Sequence, residues 1–173
     1  MATPTNTKVV FTRQWKKTSE SGILSLVAKD DAEMSISGDY SNTADIALGG
    51  TFSGKITAFQ LTSAEVGTGA VQNGTGKVFF FDADPNIVSS DVAMAAAGAE
   101  HKTVLGIVDI AAADWNSDAN GAVCFKGNID IAFHSLATIY AVYRNTDGTA
   151  VWNSDAADDE TLDINVWYET DAE

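Results

Sequence analysis

The chain has 173 residues, 45% of them hydrophobic, which is enough to bury a substantial core in one domain. Its 24 acidic and 10 basic side chains leave a formal charge of −14, which repels phosphate backbones and anionic headgroups and argues against nucleic acid or acidic membranes as partners. A single cysteine, Cys124, excludes an internal disulfide framework.

The opening "MATPTNTK" lacks the apolar run of a secretory signal, and no stretch approaches the roughly 20 apolar residues that span a bilayer, so synthesis and folding in a cytoplasm are expected. Residues 1–7 are polar and read as a mobile arm, leaving 8–173 as one domain. Two strands are expected next, in "KVVFTRQW" and "GILSLVA", with weaker candidates near Met34 and Ile46 and a clear one in "KITAFQL". The glycine-rich "GTGAVQNGTGK" fails as a phosphate loop. Val71 stands where the first loop glycine should be, Val78 follows Lys77 in place of Ser or Thr, and a strand follows in place of a helix. It reads as a flexible hairpin loop.

"KVFFFD" and "VLGIVDI" are apolar runs rich in aromatic and β-branched residues, expected as buried strands, and between them "SDVAMAAAGAEH" suggests a helical turn or two. "AVCFK" makes another strand and places Cys124 as a small buried hydrophobe. In "NIDIAF", Ile129, Ile131 and Phe133 share one face and Asp130 and Ala132 the other. "TIYAVYR" is apolar on both faces and so central. "TLDINVWYE" alternates Leu162, Ile164, Val166 and Tyr168 with Asp163, Asn165 and Glu169, the pattern of a half-buried strand. About nine strands punctuated by Gly, Asn, Asp and Ser make an all-β chain, an antiparallel β-sandwich of which the jelly roll is the expected form.

"WNSDA" occurs twice, at 115–119 and 152–156, with unlike flanks, "AAADWNSDANGA" and "GTAVWNSDAADD". Without longer self-similarity the repeat does not mark a duplicated fold unit, and it reads as the same turn chemistry used twice, with Asn, Ser and Asp bonding nearby backbone. Trp115 and Trp152 then have two readings. They stack on sugar rings or anchor a protein interface, or each tucks under its own connection as a lid on the core. Trp15 and Trp167 lie on strands, where burial or subunit contact is expected.

Oxygen-rich "DADPN" and "DWNSDAN" invite a calcium reading, but the EF-hand positions for Gly and Glu hold Ile87 and Ala93 counted from Asp82, and Ala119 and Phe125 counted from Asp114. No metal or cofactor is expected. His101 and His134 show no zinc spacing, Cys124 has no evident base, and among so many acids a pair suggestive of glycoside hydrolysis carries little weight. An enzyme is not expected.

With its polar N-terminal arm, single cysteine and Thr-, Ser-, Ala- and Gly-filled stretches such as "SNTADIALGGTFSGKITAFQLTSAEVGTGAV" and "DANGAVCFK", the chain resembles the decoration, or cement, proteins of tailed-bacteriophage heads, marine phages among them. The resemblance is one of texture over most of the chain. It implies a jelly roll or related sandwich, commonly a trimer, on the outer capsid surface at junctions of the major capsid protein, with the negative charge turned away from packaged DNA. The arm Met1, Ala2, Thr3, Pro4, Thr5, Asn6 and Thr7 would order on a neighbouring subunit, with Trp115 and Trp152 as further contact candidates. A carbohydrate- or receptor-binding sandwich using those two tryptophans is the alternative.

Overall fold

The computed structural model describes residues 14–17, 24–27, 40–67, 73–85, 87, 103–118, 121–147, 154–155 and 158–171. The arm, the expected helical turn at 90–101, the weak strand near Met34, and Trp152 lie outside them.

Among the described residues the protein is all-β and antiparallel. Six strands form a continuous path: β1 (Gln14–Lys17), β9 (Asp158–Thr170), β3 (Ala44–Gly67), β7 (Gly121–Asn145), β4 (Gly76–Phe81) and β5 (Val104–Ile110), in that spatial order. Three short strands flank it: β2 (Leu24–Val27) and β8 (Ser154–Asp155) on β9, and β6 (Trp115–Ser117) on β7.

Two strands are far longer than the segments that suggested them. "AVCFK", "NIDIAF" and "TIYAVYR" fuse into the 25-residue β7, and the candidate at Ile46 fuses with "KITAFQL" into the 24-residue β3. The two pair from Ala44 opposite Ala141 to Ala64 opposite Gly121. At ~3.3 Å per residue such a ribbon would reach about 70 Å if straight, against a radius of gyration of roughly 16 Å for a chain this size. It bends instead, at register shifts between Ala47 and Phe52, Phe52 and Gly54, and Ile56 and Ala58. Gly49, Asn128 and Ser135 take left-handed φ of 78°, 57° and 53° beside these shifts. Gly54 sits where β3 and β9 approach so closely that a Cβ would overlap the carbonyl oxygen of Glu169.

The bending brings distant parts of the sheet face to face. Phe59 of β3 meets Phe80 of β4 at 5.7 Å between ring centroids, although β7 lies between the two strands in the sheet order. Around this contact, Ile46, Leu48, Ile56, Leu61, Ile139, Tyr143, Leu162, Ile164, Val166 and Tyr168 form one buried cluster. All four inward residues of "TLDINVWYE" are in it. The other face of β4 and β7 carries a second cluster of Tyr40, Phe79, Phe81, Ile87 and Val142. Both faces of "KVFFF" are therefore buried, the physical reason the run does not alternate. Arg144 closes this side with its guanidinium 5.4 Å above the Tyr40 ring.

Two expectations are corrected. "VLGIVDI" is not a buried strand, because β5 ends the sheet path and leaves Ile107 51% exposed. The glycine-rich segment is not a hairpin loop either. β3 and β4 do not pair, since β7 is inserted between them.

In both copies of the repeated pentapeptide the described residues pair with a following strand. Asp118 donates its N–H to the Gly121 carbonyl at 2.9 Å and accepts the Gly121 N–H on Oδ1 at 3.0 Å, so residues 119–120 link β6 to β7. In the second copy Asp155, the same position of the motif, pairs with Asp158 across residues 156–157.

Phe59 is fully buried in the cluster that joins the facing parts of the sheet. Phe59→Ala should lower the free energy of urea unfolding by about 3–5 kcal/mol. Ile107→Ala, at the exposed end of the path, should lower it by less than about 1 kcal/mol. Equal effects would mean that the Phe59–Phe80 contact does not hold these parts of the sheet together.

Candidate functional site

The outward face of β9, β3 and β7 carries a concave site whose shape follows from one irregularity. Ile56 pairs with Ile131 and Ala58 with Gly127, so the single Thr57 of β3 stands opposite three residues of β7, 128–130. Against β9, where Ile56 pairs with Tyr168 and Ala58 with Trp167, Thr57 is one residue too many, and this resets the parity of β3. Ile56 and Phe59 both face the core, while Lys55 and Ala58 both belong to the outer face. On β7 the three residues form a wall, begun by Asn128 in its left-handed conformation. Thr57 Oγ1 donates to the Trp167 carbonyl at 3.3 Å and ties the bulge to β9.

Register orders the floor. Trp167, Ala58 and Gly127 lie in one cross-strand row, with Asn165, Gln60 and Phe125 in the next and Asp163, Thr62 and Val123 beyond. Ala58 and Gly127 are small, and a Cβ on Gly127 would lie 3.1 Å from the Phe125 ring. The floor between the aromatic side chains is therefore low. Phe125 is 57% exposed and meets the half-buried Trp167 edge-on, at 5.8 Å between centroids and 70° between planes. At the other end Lys55 and Asp130 form an ion pair at 3.2 Å, with Glu169 opposite Lys55 in register. The open groove encloses about 800 Å³, and a smaller hollow of about 170 Å³ adjoins it beside Asp171.

Sequence reasoning did not single out this groove, although one signal was present. Trp167 occupies the outward parity of "TLDINVWYE", an aromatic residue among Asp163, Asn165 and Glu169. The residues that were singled out go elsewhere. Trp115 begins β6, is 8% exposed, and donates its Nε1–H to the Gly74 carbonyl at 3.0 Å. It takes the second of its two expected places, as a lid, and its ring offers no face for stacking. The Tyr143 hydroxyl donates to the same carbonyl at 3.2 Å, and burial holds that phenol far above its ordinary range. Trp152 and residues 1–7 lie outside the described residues.

The acidic loop around Asp114 is occupied with structural work. Asp114 Oδ2 accepts the Ala111 N–H at 2.7 Å, closing a 3-10 turn over Ala112–Asp114, and pairs with Lys126 Nζ. The hydrogen bond from Lys126, then that from Ala111, hold its carboxyl below the usual range. Cys124 is fully buried, and burial, with the Asp114 charge adding to it, pushes its thiol up to about 11. His134 is exposed, its Nδ1 2.8 Å from the Ser53 hydroxyl. Among the described residues no three His, Cys, Asp or Glu side chains converge to hold a metal ion, and no helix is long and apolar enough to cross a membrane.

No family model matches the chain, and no curated protein matches it.

Because the folded state depresses the pKa of Asp114, its contribution to stability is complete above the unfolded carboxylate pKa of about 3.9 and is lost as pH falls through the folded value. Asp114→Asn should therefore be less stable than the parent near neutrality, and the difference should shrink as pH falls below the unfolded carboxylate value and through the lower folded one. Urea midpoints across this range measure it, and a constant gap would rule out the charge of Asp114 as its source.

Proposed function

We propose that this protein is a virion structural protein, a capsid decoration (cement) protein that binds the outer surface of a phage head as a homotrimer on the major capsid protein. The observation that carries this reading is the open edge at β5. Among the described residues Val104–Ile110 pairs on one side with β4, and Ile107 stands half-exposed beside it. A seven-residue edge of this kind offers a row of backbone donors and acceptors to a strand of a neighbouring subunit. The charge of −14 favours a surface facing solvent over one facing packaged DNA. The fold that accompanies this reading is a β-sandwich wound as a jelly roll. Support for it comes from the long β3–β7 ribbon bending until Phe59 meets Phe80.

The function follows by mass action. A protein that binds the assembled lattice and not its free subunits stabilises the shell by an amount that grows with the logarithm of its free concentration relative to its dissociation constant. Binding of this kind requires a rigid surface and no chemistry, and the arm at residues 1–7 would add contacts to a neighbour.

Particles lacking the protein should assemble but release DNA at a lower temperature, and adding the protein back should restore the parent value. Ile107→Lys should reduce particle occupancy at least ten-fold while leaving the unfolding midpoint of the free protein nearly unchanged, and deletion of Met1–Thr7 should weaken binding more than stability. Equal release temperatures with and without the protein would exclude a cementing role.

A further inference from the structure

We infer that the outer-face groove of β9, β3 and β7 is a binding site for a neutral saccharide, with Phe125 and Trp167 as its stacking platform. This inference is independent of any attachment to a particle, and it places sugar recognition on a different part of the molecule from Trp115.

The ligand class follows from the combination of surfaces. A pyranose ring has two apolar C–H faces and an equatorial belt of hydroxyls, so its site needs an aromatic ring open to solvent and polar groups beside it. Phe125 is 57% exposed, and Trp167 stands edge-on to it at 5.8 Å, forming a corner above the low floor of Ala58 and Gly127. A soluble protein exposes a large aromatic ring at the centre of a sheet face at a cost in solvation, which a stacked partner offsets. The polar groups stand at the far end, where Asn128 and Asp130 rise on the bulge and Lys55 is held against Asp130 at 3.2 Å. An amide, a carboxylate and an ammonium together supply both donors and acceptors, the set that hydroxyls require. The volume of about 800 Å³ lies in the range of small-molecule sites, and the open form suits a short oligosaccharide lying along the face.

Charge selects among ligands. An anionic glycan or a phosphorylated ligand would meet Asp130 and Glu169 on a chain of net charge −14. A basic peptide would meet Lys55, whose ammonium already occupies the Asp130 carboxylate. An uncharged polyol avoids both conflicts.

The test uses the whole protein with trisaccharides of glucose, mannose, galactose and N-acetylglucosamine. A galacturonic acid trimer serves as the anionic counterpart and a nonalysine peptide as the cationic one. Binding is read by calorimetry and by shifts of the tryptophan indole resonances, with sedimentation run in parallel. At least one neutral trisaccharide should bind, and the uronic acid trimer and the peptide should bind at least ten-fold more weakly. Phe125→Ala and Trp167→Ala should each weaken the sugar at least ten-fold. Gly127→Val, which raises the floor beneath Phe125, should do the same with both rings kept. Trp115→Phe, away from the groove, should leave affinity within two-fold. Phe125 is exposed, so its variant reports binding without a loss of fold, and unfolding midpoints check the others. The inference is overturned if none of the neutral trisaccharides binds or if binding persists in Phe125→Ala. It is also overturned if the cationic peptide binds more tightly than any sugar, or if Phe125→Ala acts by abolishing self-association.

Discussion

The β3–β7 ribbon is too long for the domain that holds it, and the fold answers to that length. A ribbon paired from Ala44 opposite Ala141 to Ala64 opposite Gly121 cannot lie straight inside a domain of this size, so backbone pairing and burial of the apolar face can be satisfied together only if the ribbon turns on itself. Each turn requires that one strand carry more residues than its partner. At one such place three residues of β7 oppose Thr57. Thr57 is also unmatched on β9, which lets Ile56 and Phe59 both enter the core, while Asn128 and Asp130 line the groove on the opposite face. The core contact between Phe59 and Phe80 and the groove beside Phe125 are thus two sides of one backbone irregularity. A straight ribbon would have neither.

The same irregularity separates what was legible in the sequence from what was not. Alternation within a strand depends only on the pleat, so the inward set Leu162, Ile164, Val166 and Tyr168 can be read from "TLDINVWYE", and the two-sided apolarity of "TIYAVYR" from its composition. Bulges break parity, and broken parity looks like the end of a strand. "KGN" between "AVCFK" and "NIDIAF" has the composition of a turn, yet pairing continues on both sides of it within β7. Three segments therefore appeared where one long strand exists. The outcome for "VLGIVDI" has a different origin. Its residues suit a buried strand, and only its position at the end of the path, set by the pairing of β4 with β7, exposes Ile107. Edge or centre is a property of topology, which local composition does not encode. The groove was hidden for both reasons, since it joins Lys55, Phe125, Asp130 and Trp167 across three strands through a register that no short window contains.

The repeated "WNSDA" shows how far local chemistry reaches. In both copies the aspartate is the last paired residue before a two-residue link, and in the first its carboxylate receives the Gly121 N–H. A short acceptor side chain at the start of a tight turn satisfies a donor that the turn leaves over, which is sufficient reason for the same residues to recur. The tryptophan ahead of it answers to a different demand. In the first copy its indole N–H reaches the Gly74 carbonyl, which also accepts the Tyr143 hydroxyl, and burial of the ring becomes possible because its one polar atom has a partner. In the first copy the pentapeptide starts a hairpin, and the core supplies the use for Trp115.

The acidic side chains divide by what surrounds them. Asp114 holds a turn and Lys126, Asp118 holds a hairpin, and Asp109 pairs across strands with Lys77, so these carboxylates serve the backbone or the sheet. Asp130 differs because it stands in the bulge opposite Thr57, where its ion pair with Lys55 lines one end of a hollow whose other end is aromatic. An exposed ion pair contributes little to stability, about 0–1 kcal/mol. Stability alone therefore gives little reason for a three-residue bulge, a left-handed Asn128 and a half-exposed phenylalanine to coincide on the outer face of the β9–β3–β7 portion of the sheet. Their arrangement is better explained by the surface it creates, a polar wall and an aromatic corner over a floor kept low by Ala58 and Gly127.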